Sequence, residues 1–308
     1  MTIEIHRIAV PNPFFEGRNS VYLLKGDPLT LVDTGVATTK AYNVLCEGLQ
    51  KHDVKIADVK RVLLTHKHID HIGNAWRIQE ATGADVYIHT LETKSLTHID
   101  PSGQRFDKLV SHRLRHWKAP LPEPKTDSSE KMPQWELEPC EPIALNDGDT
   151  LEIDGQTIEV IHTPGHSMGS VCYHVGDHFF SGDHVLRAIS PNVGAGDLRS
   201  SGMLGHFLNS LERVSHLRDV RIYPGHGSPF HGLTDRCQEL RAHHEDRLLK
   251  IRDIVTGEPQ TVYQVAIQLF GQLERFHVLL GCAEANSHLE YLIAAGSVAE
   301  SEGKFVAT

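Results

Sequence analysis

Residues 65–73 read Thr-His-Lys-His-Ile-Asp-His-Ile-Gly, and they follow the apolar run Val62–Leu64 directly. In extended backbone His66 and His68, two positions apart, point the same way. Asp70 and His71 fall where the chain turns into a helix and face a second point nearby. Imidazoles and a carboxylate together suit zinc first, and iron or manganese as well. Alone, the stretch could hold one metal incompletely, begin two sites, or coat a solvated loop. Further ligands decide between these.

Those ligands stand at the ends of three later apolar strands. T-P-G-H-S presents His166, F-F-S-G-D-H presents Asp183, and V-R-I-Y-P-G-H-G presents His226, each after a glycine that permits close backbone approach. A carboxylate can bridge two cations, and Asp183 is the candidate. His184, its neighbour, is a candidate proton donor or substrate ligand. Adjacent strand residues point to opposite sides, which supports a structural role for it instead.

The elements that would position these groups alternate between strand and helix. Strands are expected at 3–10, 20–25, 29–33, 61–65, 84–89, 150–153, 156–163, 170–175, 178–183 and 220–223. Helices are expected at 38–52, 72–82, 105–118 and 204–217. Phe106, Leu109, Val110, Leu114 and Trp117 form the apolar stripe of the third of these. Pro120–Pro133 is a proline-rich polar linker, and 95–142 as a whole reads as a lid or substrate-binding insertion. Beyond Leu233 the pattern turns helical. Thr261 to Gln264 has a capping-box pattern opening a helix through Phe270, a second helix covers 283–295, and a small hairpin closes the chain. The expected domains are 1–235 and a winged-helix-like 236–308.

Composition bounds the function. The net charge of −10 argues against bulk electrostatic coating of nucleic acid or anionic membrane, though not against a local basic patch. Five scattered cysteines without a C-x-x-C pair argue against a disulfide framework or thiolate zinc site and favour a reduced interior. No signal-peptide pattern and no apolar run of membrane-spanning length is present, so a cytoplasmic protein with no membrane partner is expected. There are 22 histidines in 308 residues, so spacing rather than number must carry the metal argument.

The four motifs T-H-K-H-I-D-H, T-P-G-H-S, S-G-D-H and P-G-H-G, in this order, resemble the metallo-beta-lactamase-fold hydrolases, a superfamily shared by glyoxalase II, the ribonuclease Z group and lactonases. The resemblance spans about residues 15–230. It implies an α/β fold, a four-layer αββα sandwich, here with a C-terminal helical, winged-helix-like domain. It further implies that His66, His68 and His166 bind one divalent metal and Asp70, His71 and His226 a second, with Asp183 bridging. The segment Leu31–Gly35 matches the family's L-V-D-T-G, which implies that Asp33 orients metal ligands. Asp70 and His184 are the expected catalytic residues. Two cations about 3.5–4 Å apart can share a water and bring its pKa towards neutrality, so hydrolysis by a metal-bridging hydroxide is the implied reaction.

The tail is similar to the branch that includes human β-lactamase-like protein 2, whose human member resembles an endoribonuclease. The 283–295 helix, however, has two glutamates and no lysine or arginine, which suits packing or dimerisation better than nucleic-acid reading. Arg105–Lys118 is the one basic segment, and Arg113 and Arg115 are the candidate patch for RNA or coenzyme A phosphates. Three functions follow. The first is a hydrolase of a small ester, thioester or lactone. The second is a phosphodiesterase or ribonuclease acting on single-stranded RNA. The third is a non-catalytic ligand-binding regulator, against which the complete ligand set weighs. A homodimer is compatible with each.

Overall fold

Strands β1 (Glu4–Val10), β2 (Asn19–Lys25), β3 (Thr30–Val32), β4 (Arg61–Leu63), β5 (Asp85–His89) and β6 (Pro142–Leu145) pair in that order in one six-stranded sheet. A second sheet of five strands holds β7 (Thr150–Ile153), β8 (Gln156–His162), β9 (Val171–Val175), β10 (His178–Gly182) and β11 (Arg221–Pro224), with β11 and β7 at its edges. The computed structural model describes residues 3–14, 17–100, 104–121 and 135–308.

The period-two alternation of strand side chains decides how the sheets stack. Tyr22, Val32, Leu63, Val160, Tyr173, Phe180 and Tyr223 meet in one core between the two sheets. Their neighbours Val21, Leu31 and Val62 face outward against α1 (Thr39–Gln50) and its stripe of Ala41, Leu45 and Leu49. The short α2 (Ile69–Ile72) then leads into α3 (Ala75–Thr82), and α4 (Lys94–Thr97) adds Leu96 to the same outer core. On the far side Phe179 and Ile222 face outward against α6 (Met203–Val214), which follows α5 (Gln104–His116) in the chain. Four layers, αββα, result.

The remaining elements are α7 (Leu233–Ile254), α8 (Val262–Phe270), α9 (Phe276–Ala294) and the hairpin β12 (Val298–Ser301) and β13 (Lys304–Ala307). The Thr261–Gln264 capping box forms. No helix among the described residues is long and apolar enough to cross a membrane. All five cysteines are free thiols.

Several expectations need correction. The helix expected over 72–82 begins only at Ala75, after the separate α2, and the Asn74 side chain between them donates to the carbonyls of Thr34 and Val36 at 2.9 Å each. β6 was not expected; it is short, begins at a proline and buries little, so it lacks alternation. α9 begins at 276 rather than 283. Gly281 lies within it and leaves room for the Leu273 side chain, whose Cδ1 would be 2.6 Å from an added Cβ. The continuous α7 spans the position of the expected boundary, with Leu233, Cys237 and Leu240 in the core beneath α6 and Ile251 in the C-terminal core. α5, expected within a lid, packs Val110 and Leu114 with α8 and α9. Most of the proline-rich linker, 122–134, lies outside the described residues.

Two buried tyrosines cross-link the sheets. Tyr22 of β2 donates to the Pro224 carbonyl at 2.7 Å, and Tyr173 of β9 donates to the Leu64 carbonyl at 2.7 Å. Removing one hydroxyl leaves a buried acceptor unpaired, at a cost of about 1–3 kcal/mol. Tyr173→Phe is therefore expected to lower the urea-unfolding free energy by that amount. An unchanged midpoint and slope would show that the hydroxyl does not tie the sheets.

Candidate metal centre

β3 and β4 run parallel, and β8, β10 and β11 share one direction in the other sheet, because β9 is antiparallel to both of its neighbours. The carboxyl ends of these strands therefore open onto one edge of the sandwich. Asp33 follows β3, His66 and His68 follow β4, His166 follows β8, Asp183 follows β10 and His226 follows β11. Asp70 and His71 lie on α2, for which His68 is the N-cap. Gly225 is obligatory: a Cβ there would lie 2.3 Å from Asp183 Oδ1.

All seven expected ligands converge in three overlapping groups: His66–His68–His166, His66–His71–Asp183 and Asp70–His71–His226. His68 Nδ1 lies 2.9 Å from both His66 Nε2 and His166 Nε2. His226 Nε2 is 3.4 Å from Asp70 Oδ2 and 3.3 Å from Asp183 Oδ2. Asp183 reaches the first group as well, with Oδ2 3.7 Å from His166 Nε2. Its position between the groups is the one a bridging carboxylate needs.

Three of the outward ring nitrogens are held. His71 Nδ1 donates to Asp33 Oδ2 at 2.8 Å, and His166 Nδ1 donates to the Asn192 carbonyl at 2.9 Å. His66 Nδ1 donates to Thr65 Oγ1 at 3.0 Å, and that hydroxyl donates onward to the Asp33 carboxylate. Each bond fixes a tautomer and leaves the Nε2 lone pair facing inward. Within the cluster, His71 Nε2, His226 Nε2 and Asp183 Oδ1 are buried without a hydrogen-bond partner. Buried polar atoms left unpaired are costly, and a cation would satisfy all three. The residues fit divalent metal.

The protonation pattern agrees. Burial pushes His66, His68 and His166 below the usual imidazole range, and the neighbouring rings add to it for His66 and His68. For His71 and His226 burial acts the same way, but the nearby carboxylates outweigh it, raising His71 well above its ordinary value and His226 to about 10. Asp70 and Asp183 lie below the carboxylate range, because His71 and His226 overcome the effect of burial.

Other expected residues lie elsewhere. Burial holds His184 down to about 3, and its ring stands edge-on to Phe207, 5.1 Å between centroids, outside all three ligand groups. Arg113 and Arg115 do not form one patch: two apart on a helix they face different ways, and Arg113 is half-buried, donating to the Leu198 carbonyl. Sequence reasoning missed Asn12 and Asn19, whose amides each donate to Asp70 Oδ2 at 3.0 Å. Neither position carried a local signal for that contact. Thr65 and Asn192 carried none.

Residues 14–226 match the family described as Metallo-beta-lactamase superfamily. The chain is 29% identical over 307 residues to a probable metallo-hydrolase, YqjP, of Bacillus subtilis, covering 95% of this chain and 93% of that one. It is 30% identical over 178 residues to the probable polyketide biosynthesis zinc-dependent hydrolase BaeB of Bacillus velezensis, covering 57% and 59% of the two chains. A metallo-beta-lactamase family protein from Thermus thermophilus superposes with a TM-score of 0.82 at 29% identity, over 99% of this chain and 98% of that one. A beta-lactamase domain protein from Burkholderia ambifaria gives 0.81 at 26% identity, over 99% and 91%.

Two outcomes are expected. Asp33→Asn weakens zinc affinity by about 10–100-fold in chelator competition, since the carboxylate orients rings in both groups. Affinity within a factor of about two of the parent would refute that role. Zinc uptake by the metal-free protein at pH 7 releases protons, because His71 and His226 carry protons that the metal must displace. Apparent affinity then climbs as pH rises towards about 10. Proton-neutral uptake in an indicator-dye titration would contradict the assignment.

Proposed function

The chain belongs to the metallo-beta-lactamase superfamily, and on that footing we propose that it is a metal-dependent hydrolase of a small ester, thioester or lactone. The observation that carries this reading is the convergence of unpaired His71 Nε2, His226 Nε2 and Asp183 Oδ1 beside three imidazole lone pairs. Relatives named as a metallo-hydrolase and a zinc-dependent hydrolase support the reaction class.

His66, His68 and His166 would hold one divalent ion and Asp70, His71 and His226 another, with Asp183 shared. Five imidazoles and two carboxylates suit zinc, and accept iron or manganese. When bound, the pair supplies Lewis acidity and a water of lowered pKa. The protein's own part is positioning. Asn12 and Asn19 hold Asp70 Oδ2, the oxygen facing His226, and Asp70 stays ionised. It can accept a hydrogen bond and orient a water, but it is too weak a base to store a proton.

A polyanionic substrate has less support. The chain carries a net charge of −10, and α9, the helix that would read nucleic acid, has no lysine or arginine and buries eleven residues. Arg113 is already committed to Leu198.

The deciding experiment screens metal-replete protein, with metal analysis on the same sample. Thioesters and lactones are compared with bis(p-nitrophenyl) phosphate and short RNA. Carboxylic substrates are expected to turn over, and Asp183→Ala is expected to lower kcat/KM by about 100-fold or more, as several kcal/mol of charge stabilisation go with the ligand. Turnover of phosphodiesters alone would overturn the substrate class. An Asp183→Ala protein with two metals and full activity would overturn the metal reading itself.

A further inference from the structure

The segment between Asp183 and α6 has two sides. One side rests on the C-terminal helices. Arg236 of α7 donates to the Leu186 and Ile189 carbonyls at 2.7 and 3.0 Å. Asn192 Nδ2 donates to the Leu280 carbonyl at 3.2 Å, and Ser287 Oγ to the Val193 carbonyl at 3.1 Å. The Val193 amide donates to Glu284 Oε2 at 2.8 Å.

The other side rests on the metal centre. The Asn192 carbonyl receives His166 Nδ1, and Asp197 pairs with Lys67 and accepts the Met168 amide. A Cβ at Gly196 would lie 2.5 Å from His68 Nε2, so the backbone covers that ring. Position 192 thus faces His166 while position 193 is fixed to α9.

Glu284 sits in a buried group with His244 and His288 that has metal-ligand spacing. Its hydrogen bonds argue against a metal. His288 Nδ1 donates to the Glu284 carbonyl at 2.7 Å, which leaves His288 Nε2 to accept from His244 Nδ1 at 3.1 Å. His244 Nε2 then accepts from Ser190 Oγ at 3.3 Å. Every ring nitrogen is used, and the Glu284 carboxylate is divided between Arg247 and the Val193 amide. Burial keeps His244 at about 2 and His288 at about 3, so Arg247 is the cation that balances Glu284. The group is a strut.

We propose that Glu284, supported by Arg247, is a positioning residue of the metal centre: by fixing the Val193 amide it holds the Asn192 carbonyl on His166 Nδ1, and so sets the orientation and basicity of that ring. The inference rests on His166 being a ligand, as proposed above. A hydrogen-bond partner behind a ligating imidazole commonly governs metal affinity by about 10–100-fold. The route here is one peptide longer and reaches His166 alone.

The test is a zinc titration and a cobalt(II) absorption spectrum on full-length Glu284→Gln, Leu292→Ala and His166→Ala. Glu284→Gln is expected to weaken one of two metal equivalents by about tenfold and to alter the cobalt bands. Leu292→Ala, a cavity on the same helix, is expected to lower thermal stability and leave both metal readouts unchanged. His166→Ala is expected to lose one equivalent. If Glu284→Gln does not fold, Ser287→Ala removes the bond to the Val193 carbonyl and replaces it. Parent-like affinity and spectrum in the strut variant, with loss in His166→Ala, would overturn the strut. Equal weakening in Leu292→Ala would reduce it to general stability and overturn it too. Undiminished metal in His166→Ala would instead overturn the ligand assignment.

Discussion

One buried carboxylate ties together the histidine groups of the candidate metal centre. Asp33 leaves β3 with φ 61°, its amide bonded to the Leu63 carbonyl, and its oxygens receive the Thr65 amide, the Thr65 hydroxyl and His71 Nδ1. A charge so deeply buried is tolerable only when hydrogen-bonded. Here the bonds that satisfy it also do positional work. The Thr65 hydroxyl passes the restraint to His66, so a ring in each ligand group takes its tautomer from the same side chain. Neither group can be re-aimed without the other.

This economy depends on the sheets arriving together. Ligands come from both sheets, and a site built from two bodies is only as rigid as the joint between them. The joint is made at the level of the ligands. Tyr173 holds the carbonyl of Leu64, two residues before His66, and Tyr22 holds that of Pro224, two residues before His226. The Ser20 amide adds a bond to the Gly225 carbonyl at 2.7 Å. Hydroxyl and amide donors thus anchor the strand ends where side-chain direction matters most, and apolar packing fills the space behind them.

What was legible in the sequence and what was not divides along the same line. The convergence of His66, His68, Asp70, His71, His166, Asp183 and His226 could be read because each carries its signal within a few residues: an apolar strand, a turn, a side chain able to hold a metal. The strands could be read for the same reason, since Phe179 and Phe180 or Ile222 and Tyr223 alternate between two cores. Asn12 and Asn19 could not, because their task is a contact with Asp70 that exists only after β1 and β2 have paired. The placement of α5 was illegible as well. Its amphipathic stripe says that it packs, and only the fold says that it packs on α9. Arg113 shows the converse: a suggestive residue type whose side chain the fold commits to the Leu198 carbonyl.

The C-terminal helices follow from the same physics. The family match ends at residue 226, yet α7 runs unbroken from Leu233 to Ile254 through both the outer core and the C-terminal core. Swinging those helices away would require breaking α7 or withdrawing Cys237 and Leu240 from contact with α6. It would also strip the 186–193 backbone of partners on Arg236, Ser287 and Glu284, leaving buried polar groups unpaired. The likeness to the Thermus protein covers 99% of the chain and so includes this region. A candidate metal centre whose His166 is bonded to the Asn192 carbonyl, on a segment clamped by α7 and α9, does not end where the sandwich ends. In physical terms the tail supports the site from behind, through side-chain hydrogen bonds from Arg236, Ser287 and Glu284 to the 186–193 backbone.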